Sequence, residues 1–486
     1  ASVFALSTHG RPYHAKSLRL NYLDSAPLRY YLNKMDYFLK NYALSGFLRP
    51  AAFVLALCAF VLTTFSGADA AAPLTLDDVY LLSLKHHESV AIAKEAIDQS
   101  ESSIKEAYAG VLPTVSTSAQ YRRYSQKEVA GVFLIQPDDE TDFELRVSQP
   151  LFRGGKDWSA IRSAKSFRKG LSTALEATNE RVLIDTARAF YAILKAEKQV
   201  DITDASLKRA REQERVSKAR LYAGTATRAV VLRADAEAAG IVAELINTKR
   251  MLMNAKERLR RFTGLAGPLT VVAPESFSSV SGTLPELIDI AVRDRRDYRI
   301  RKVDQELAKE GIKYARGSYL PTLTLDGVYT YRDQSPATTF LLNDSLRADL
   351  TLSYFIFEGG LRRAELSKAK SILREADLRT IGVRRDIAVH VTEAYNNVEA
   401  LKSVMKSFRT QIFFARENYE MVFKQFTYGL ADNVDLIDAD TTLVSAELGF
   451  ANATLDLQLA VLELKMSMGV LFNEVVGKRA SKDKTD

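Results

Sequence analysis

The sequence contains two copies of one pattern, and the second copy follows the first at an offset of about 205 residues. Each copy predicts a helix, two alternating strands, and then two very long helices that meet at a glycine. Two copies supply four strands, which is too few for one chain to close a barrel by itself. Leu112-Pro113 recurs as Leu320-Pro321, and the matches without a gap are Phe152/Phe357, Gly154/Gly359, Gly155/Gly360, Gly224/Gly429, Asp235/Asp440 and Gly264/Gly469.

The predicted strands show a period of two residues, which is typical of a sheet with two different faces. A soluble sheet would give the same alternation. However, the four strands are about 10 to 13 residues long, the length that a tilted membrane strand needs, and Tyr and Phe are frequent near their ends. The positions on one side are Val115, Thr117, Ala119 and Tyr121; Phe143, Leu145 and Val147; Leu323, Leu325, Tyr329 and Tyr331; and Leu346, Ala348, Leu350, Leu352, Tyr354 and Ile356.

The two long helical segments cover residues 156–223 and 361–428, and the first contains no proline and only one glycine. Helices of this length indicate coiled coils or helical arrays. After Gly429 a seven-residue repeat places large residues at one seam position and small ones at the other, which allows close antiparallel packing. The large positions are Leu436, Leu443, Phe450, Leu457 and Leu464, and the small ones are Ala439, Ala446, Ala453, Ala460 and Ser467.

The N-terminal region differs from the repeats and divides into two parts. Residues 1–34 lack any period and are interpreted as a leader. Residues 35–70 combine basic residues, an apolar run and an Ala-x-Ala site, which predicts a secretory signal peptide; the alternative, a membrane anchor, would need a longer apolar run. Cys58, the only cysteine, lies inside this signal, and the large residue before it argues against lipidation.

The charge of the chain gives no sign of a nucleic-acid partner. The formal net charge is +7, but the leader carries more than half of it, so the remainder is close to neutral for its size. The rest of the chain is divided into repeat 1 (71–264), a linker rich in Gly, Pro, Ser and Val (265–283), repeat 2 (284–471), and a polar tail (472–486), of which residues 477–486 are expected to be disordered.

Three segments carry a recognisable pattern: the strand-to-helix turns at residues 149–155 and 355–360, and the helix tip at residues 429–439. They resemble the corresponding segments of TolC-like outer-membrane efflux proteins. The resemblance covers about residues 74–471. It implies a mixed α/β membrane protein: a homotrimer whose protomers contribute four strands each to a 12-stranded β-barrel in the outer-membrane lipid, continued by a coiled-coil helical tunnel through the periplasm. The matching residues are Gln149-Pro150-Leu151-Phe152-Arg153-Gly154-Gly155, Phe355-Ile356-Phe357-Glu358-Gly359-Gly360, and Gly429 to Ala439.

The resemblance also predicts the functional residues. Asp435 and Asp438 lie three residues apart on one helix face and would form acidic rings near the closed end of the tunnel, as a cation-selective gate. Both residues would equally suit a helix start, where acidic groups complement the helix dipole. Gly224 and Gly429 would form the tips at which a periplasmic adaptor docks.

The sequence departs from the family pattern at the gate. Such gates are often locked by an arginine shortly after the tip glycine, but that position is Ala431 here, and the position of its aspartate partner is Val230. A tyrosine often found before the glycine is Phe426. We therefore expect this lock to be absent or replaced, with Arg228 as a candidate replacement.

No set of residues predicts an enzyme, a metal site or a cofactor. The adjacent residues His86 and His87 do not face each other on a helix, so they are interpreted as a solvated pair. The sequence predicts a passive exit duct of a tripartite efflux pump or a type I secretion system, served by an adaptor and an inner-membrane transporter of the RND or ABC type. The alternative is an exported coiled-coil scaffold or adhesin without channel activity.

Overall fold

The computed structural model describes residues 73–131, 133–265, 267–274, 280–337 and 342–482. The predicted leader, the signal peptide with Cys58, and the last four residues lie outside the described residues. In chain order the helices are α1 (Leu76–His86), α2 (Glu88–Ala109), α3 (Lys156–Tyr222), α4 (Arg228–Thr263), α5 (Leu284–Asp294), α6 (Arg296–Gly317), α7 (Leu361–Thr427), α8 (Asn433–Ser467) and α9 (Leu471–Lys482). The strands are β1 (Thr114–Arg123), β2 (Glu128–Ala130), β3 (Phe133–Gln136), β4 (Asp139–Arg153), β5 (Thr322–Ser335) and β6 (Asp344–Ser353).

The first helix of each repeat is broken in two, whereas the sequence pattern predicts one continuous helix up to Ala109. The break in repeat 1 is at His87, whose backbone is extended (φ −74°, ψ 126°). Its ring Nδ1 accepts a hydrogen bond from the Ser89 amide at 3.2 Å, and the ring stacks on Phe262 at 5.4 Å between centroids. Repeat 2 breaks in the same way at Arg295. The prediction of a solvated His86–His87 pair is therefore wrong, because His87 caps α2 and packs on α4.

The four long strands form one antiparallel sheet in the order β1-β4-β5-β6. β4 pairs with β1 from Thr114↔Ser148 onward, and with β5 as far as Arg153↔Thr322. β1 and β6 are the edges, and each has only one strand neighbour within the described chain. The sequence between β1 and β4 predicts a polar loop around residues 137–141, but β2 and β3 form a short hairpin in this connection, and β4 already begins at Asp139.

The two faces of the sheet differ in chemistry. On β4 the side chains of Phe143, Leu145 and Val147 lie on one face and are exposed in a single chain, as are the leucines of β6. The opposite face carries ion pairs between neighbouring strands: Arg122 lies 3.1 Å from Glu140, and Arg332 lies 2.9 Å from the same carboxylate. The exposed face is therefore apolar and the other face is charged.

β6 is shorter than its pattern predicts. The alternation continues to Ile356, but the strand ends at Ser353, because its partner β5 begins at Thr322, which pairs with Ser353. Residues 354–357 therefore lie beyond the end of the ladder, and their side chains are strongly exposed.

The long helices α3 and α7 contain 67 residues each, which corresponds to about 100 Å of helix. α3 packs against α4, and α7 against α8, so each repeat contributes one antiparallel helix pair. The largest buried cluster among the described residues joins α3 to α1, α4 and α9; it contains Tyr80, Phe190, Leu259 and Leu471. No helix in the described part of the chain is both long and apolar enough to cross a membrane.

The C-terminal tail is helical as far as Lys482, so the prediction of a disordered tail is wrong for that part. The reason is local anchoring: Leu471 is buried in the main core, Asn473 accepts a hydrogen bond from Arg296 at 2.8 Å, and Lys465 bonds to Glu474 at 2.5 Å. In the linker, the residues Thr270, Val271 and Val272 predict a short strand, and Val271 forms an isolated parallel bridge with Leu74.

Candidate functional site at the helix tips

The two tips are sharp reversals built in the same way. Gly224 and Gly429 have φ of +74° and +79°, a left-handed conformation that glycine adopts without steric cost. After Gly224, the Thr225 amide donates to the Arg220 carbonyl at 2.8 Å, and after Gly429 the Leu430 amide donates to the Gln425 carbonyl at 2.8 Å. These bonds satisfy carbonyls at the helix end, so each long helix reverses within a few residues.

Asp435 has a structural role at the start of α8. Asp432 is the N-cap: its carboxylate accepts from the amides of Val434 at 2.6 Å and Asp435 at 3.0 Å. Asp435 in turn accepts from the Asp432 amide at 3.2 Å, which completes a capping box. This geometry supports the helix-start role considered for Asp435, and it leaves the carboxylate exposed.

Asp438 makes no such capping bond. It lies one turn further along α8 and, together with Asp435, lines a groove of about 360 Å³ between α7 and α8. The α7 side of the groove contributes the amides of Asn418 and Gln425. The structure therefore brings the two predicted aspartates to one open, polar surface, and Asp438 forms no ion pair with any described residue.

The positions of the family lock are occupied by an apolar contact. Phe426 is fully buried between Val216 and Leu436, and both Ala431 and Val230 pack against this cluster. Arg228, the candidate replacement, is exposed at the start of α4 and forms no ion pair with any described residue. Among the described residues of one chain, therefore, the two lock positions contribute apolar packing and no ion pair.

Arg220 joins the two tips, and the sequence pattern did not indicate it. Its guanidinium donates to the carbonyl of Phe426 at 2.9 Å and lies 5.0 Å from the centre of the Phe426 ring, where a cation–π contact is favourable. An arginine near the end of a helix is common in sequences, so this contact becomes apparent only from the position of α7 in the structure.

A second set of polar contacts connects α3 to α8 just above the tips. Asp440 accepts from Ser206 at 2.7 Å and is paired with Arg209. The Arg209 guanidinium lies 5.5 Å from the centre of the Tyr419 ring. Burial and the nearby Asp440 raise the pKa of Tyr419 to about 12, so this phenol stays neutral at physiological pH.

At the other end of the long helices, the predicted strand-to-helix junctions form tight turns. Gly154 and Gly155 both have positive φ, as do Gly359 and Gly360. Gly154 lies directly against Gly317 at the end of α6, with no room for a side chain. Phe152 and Phe357 precede the turns, and both are exposed in a single chain.

Each junction also contains an ion pair four residues apart, but with the charges exchanged. In repeat 1, Arg153 lies 2.9 Å from Asp157 and donates to the carbonyl of Gly110. In repeat 2, Glu358 and Arg362 occupy the same two positions and pair at 2.5 Å. The two junctions thus keep the contact while reversing its residues.

A four-stranded sheet with an exposed apolar face, continued by two pairs of very long helices, is the architecture of a subunit of a channel through the cell envelope. The family model of the outer membrane efflux proteins matches residues 79–265 and 287–470, and the chain belongs to this family. The predicted family, the outer-membrane location and the function in efflux are thereby confirmed. The alternative of a scaffold or adhesin has no support.

Individual relatives agree with this assignment. The outer membrane protein TolC of Vibrio cholerae serotype O1 is 23% identical over 395 residues, which are 80% of this chain and 88% of TolC. The alkaline protease secretion protein AprF of Pseudomonas aeruginosa is 23% identical over 344 residues, 67% of this chain and 69% of AprF. The crystal structure of VceC from Vibrio cholerae superposes with a TM-score of 0.68 at 18% identity, covering 81% of this chain and 96% of VceC.

The comparisons confirm the predicted fold class of duplicated helices and antiparallel strands, and the family is one of channels rather than of enzymes. Among the described residues, no group of three or more His, Cys, Asp or Glu side chains is arranged to hold a metal ion.

Proposed function

We propose that three copies of this chain form one passive exit duct in the outer membrane, with four strands each in a shared 12-stranded barrel. The observation that carries this proposal is the sheet itself: its apolar face is exposed, and its edge strands β1 and β6 each have one side without a strand partner among the described residues. Unpaired backbone groups in lipid cost several kcal/mol each. Because β1 and β6 run in opposite directions, β6 of one copy can pair with β1 of the next and remove both edges.

The partners follow from the position of the tips. Gly224 lies between α3 and α4, and Gly429 lies between α7 and α8, at the end of each helix pair that is farthest from the sheet. A periplasmic adaptor would dock at this end and connect the duct to an inner-membrane transporter. The transporter, of the RND or ABC type, would supply the energy. The family is named for efflux and the relative AprF for protease secretion, so the proposal covers efflux as well as protein export.

Asp435 and Asp438 would form the narrow, cation-selective part of the duct. In a trimer the two positions supply six carboxylates around one axis, and rings of carboxylates attract cations and repel anions. Asp438 is the better indicator of this role, because Asp435 is also part of the capping box at the start of α8.

The test is single-channel conductance in planar bilayers, comparing the wild type with Asp435→Asn/Asp438→Asn. We expect small cation-selective currents in the wild type, and larger currents with less cation preference in the variant. Glu417→Gln/Glu420→Gln is the matched control, because it removes two exposed carboxylates three residues apart on α7 near the same end of the helix pair.

Each result has a definite meaning. If only the aspartate variant loses cation preference, the gate is placed at these residues. If both double variants change equally, overall charge sets the selectivity and the gate assignment is wrong. Folded trimer without any current would overturn the duct.

A further inference from the structure

Helix α3 contacts α8 along a polar seam within one chain. Arg188 donates to Glu463 from two of its nitrogens, at 3.0 and 2.8 Å. Nearer the tips, Gln213 donates to the side-chain oxygen of Asn433, and Asn433 is only 3% exposed. We call this contact the α3–α8 seam. It joins the long helix of repeat 1 to the second helix of repeat 2.

The equivalent face of α7 is open. The offset of 205 residues that relates α3 to α7 also relates α4 to α8. Ile184 on α3 is fully buried, whereas its equivalent on α7, Val389, is 54% exposed; Val216 is 8% exposed, whereas its equivalent, Met421, is 54% exposed. One face of the same helix is therefore covered in repeat 1 and uncovered in repeat 2.

Two charged residues at equivalent positions have the opposite signs to the intrachain pair. Glu393 on α7 holds the position of Arg188, and Arg258 on α4 holds the position of Glu463. Both are exposed, and neither forms an ion pair with a described residue. If α7 met α4 as α3 meets α8, an acid and a base would again face each other, with their helices exchanged.

At the tip the same correspondence brings a base to the acidic groove. The equivalents of Gln213 and Asn433 are Asn418 on α7 and Arg228 on α4. Asn418 lines the groove that contains Asp435 and Asp438. A side chain of α4 that took the place of Asn433 would therefore lie beside these two carboxylates, and in this chain that side chain is arginine.

We propose that in the trimer α7 of each copy packs against α4 of the next copy with the geometry of the α3–α8 seam. Glu393 then pairs with Arg258 of the neighbouring copy, and Arg228 of that copy enters the groove of Asp435 and Asp438. The inference rests on the proposed trimer. This intersubunit contact takes the place of the family lock, which Ala431 and Val230 cannot form. Its charges are exchanged, because the arginine lies in repeat 1 and the aspartates lie in repeat 2.

The reversed charges also select between the two seams. If α4 of a neighbouring copy packed against α3 in place of α8, Arg258 would face Arg188. If α8 packed against α7 of a neighbouring copy in place of α4, Glu463 would face Glu393. Like charges placed opposite each other disfavour both arrangements. The charges of Arg188, Glu463, Glu393 and Arg258 thus favour a ring in which intrachain and intersubunit seams alternate.

The experiment is site-directed crosslinking in isolated membranes. The pairs Glu393→Cys/Arg258→Cys and Asn418→Cys/Arg228→Cys test the intersubunit seam, and Arg188→Cys/Glu463→Cys is the matched intrachain control. A short bifunctional thiol crosslinker is used, because ion-pair partners can lie farther apart than a disulfide permits. Cys58, in the predicted signal, is the chain's only native cysteine, so the single-cysteine variants give the background.

We expect covalent dimers and trimers from the two intersubunit pairs, only monomer-sized product from the control pair, and no oligomers from single variants. The native mass in detergent is measured in parallel. A trimeric mass without crosslinked oligomers would overturn the seam and leave the trimer intact. A monomeric mass with a crosslinked control pair would overturn the trimer itself, and with it the proposed function.

Discussion

The junction between sheet and long helix makes a sharp stability prediction, because two neighbouring glycines there differ in only one respect. Gly154 and Gly155 both have positive φ, of +66° and +76°. A Cβ atom added at Gly154 would lie 2.1 Å from the carbonyl oxygen of Gly317 and 2.9 Å from its carbonyl carbon, whereas one added at Gly155 would meet nothing within 4 Å. Alanine at either site therefore strains the backbone, but only Gly154→Ala also creates a collision.

The magnitudes follow from these two effects. A left-handed conformation costs a non-glycine residue about 1–2 kcal/mol, and this cost applies equally to both variants. The collision at Gly154 involves backbone atoms, which cannot rotate away, and forced overpacking adds about 1–3 kcal/mol. With an unfolding entropy of about 2 cal/mol/K per residue over roughly 400 residues, the extra loss lowers the melting temperature of Gly154→Ala by about 1–4 °C relative to Gly155→Ala.

The assay is thermal unfolding in detergent, followed by circular dichroism of the helices, at one protein concentration for both variants. The comparison between the variants cancels the shared backbone strain and most effects of detergent. Equal melting temperatures for Gly154→Ala and Gly155→Ala would refute the reasoning, because they would show that the end of α6 does not lie against the junction. A greater loss for Gly155→Ala would refute it too.

Two further variants probe buried and bridging arginines, each against an exposed control. Arg296→Met removes a guanidinium that is 3% exposed and bonded to two carboxylates, so we expect thermal unfolding to show a loss of about 3–5 kcal/mol in the free energy of unfolding. Arg299→Met, at a half-exposed ion pair, should lower this free energy by less than about 1 kcal/mol. Similar losses for the two variants would show that the buried ion pairs of Arg296 do not stabilise the fold. Arg220→Ala removes the bridge to Phe426 and should increase single-channel conductance. Arg215→Ala, whose partner lies on its own helix, should leave conductance unchanged, and an equal effect of the two would argue against the bridge.

The sequence predicted those features that depend on local backbone demands and on periodicity. Every glycine shared by the two repeats has positive φ. The glycines that recur at the offset of 205 residues therefore identified the turns of the chain. The period of two residues located the four long strands. The lack of proline in residues 156–223 indicated the first long helix, and the repeat placed the second at residues 361–428. The cap at Asp432 was predictable for the same reason, because it needs only residues next to it.

Features that depend on contacts distant in sequence were not predictable. The break at His87 is stabilised by stacking on Phe262 of α4, and the tail helix is anchored by Arg296 of α6. The bridge from Arg220 to Phe426 joins residues from different repeats. Phe426 departs from the family pattern, but nothing in the sequence connects it with Arg220. In each case a local pattern was compatible with several structures, and a tertiary contact selected one.

The repeats also show why matching residue letters underestimates their relationship. Arg153 and Asp157 in one junction correspond to Glu358 and Arg362 in the other, so a letter comparison finds two mismatches where the structure has one preserved ion pair. An ion pair depends on opposite signs at a fixed distance, and it survives when both residues change together. The same relation connects Arg188 and Glu463 to Glu393 and Arg258. In a ring built from alternating repeats, ion pairs with exchanged charges allow the α3–α8 seam and the α7–α4 seam to keep the same geometry. They also prevent a helix of one seam from packing in the other, because like charges would then face each other.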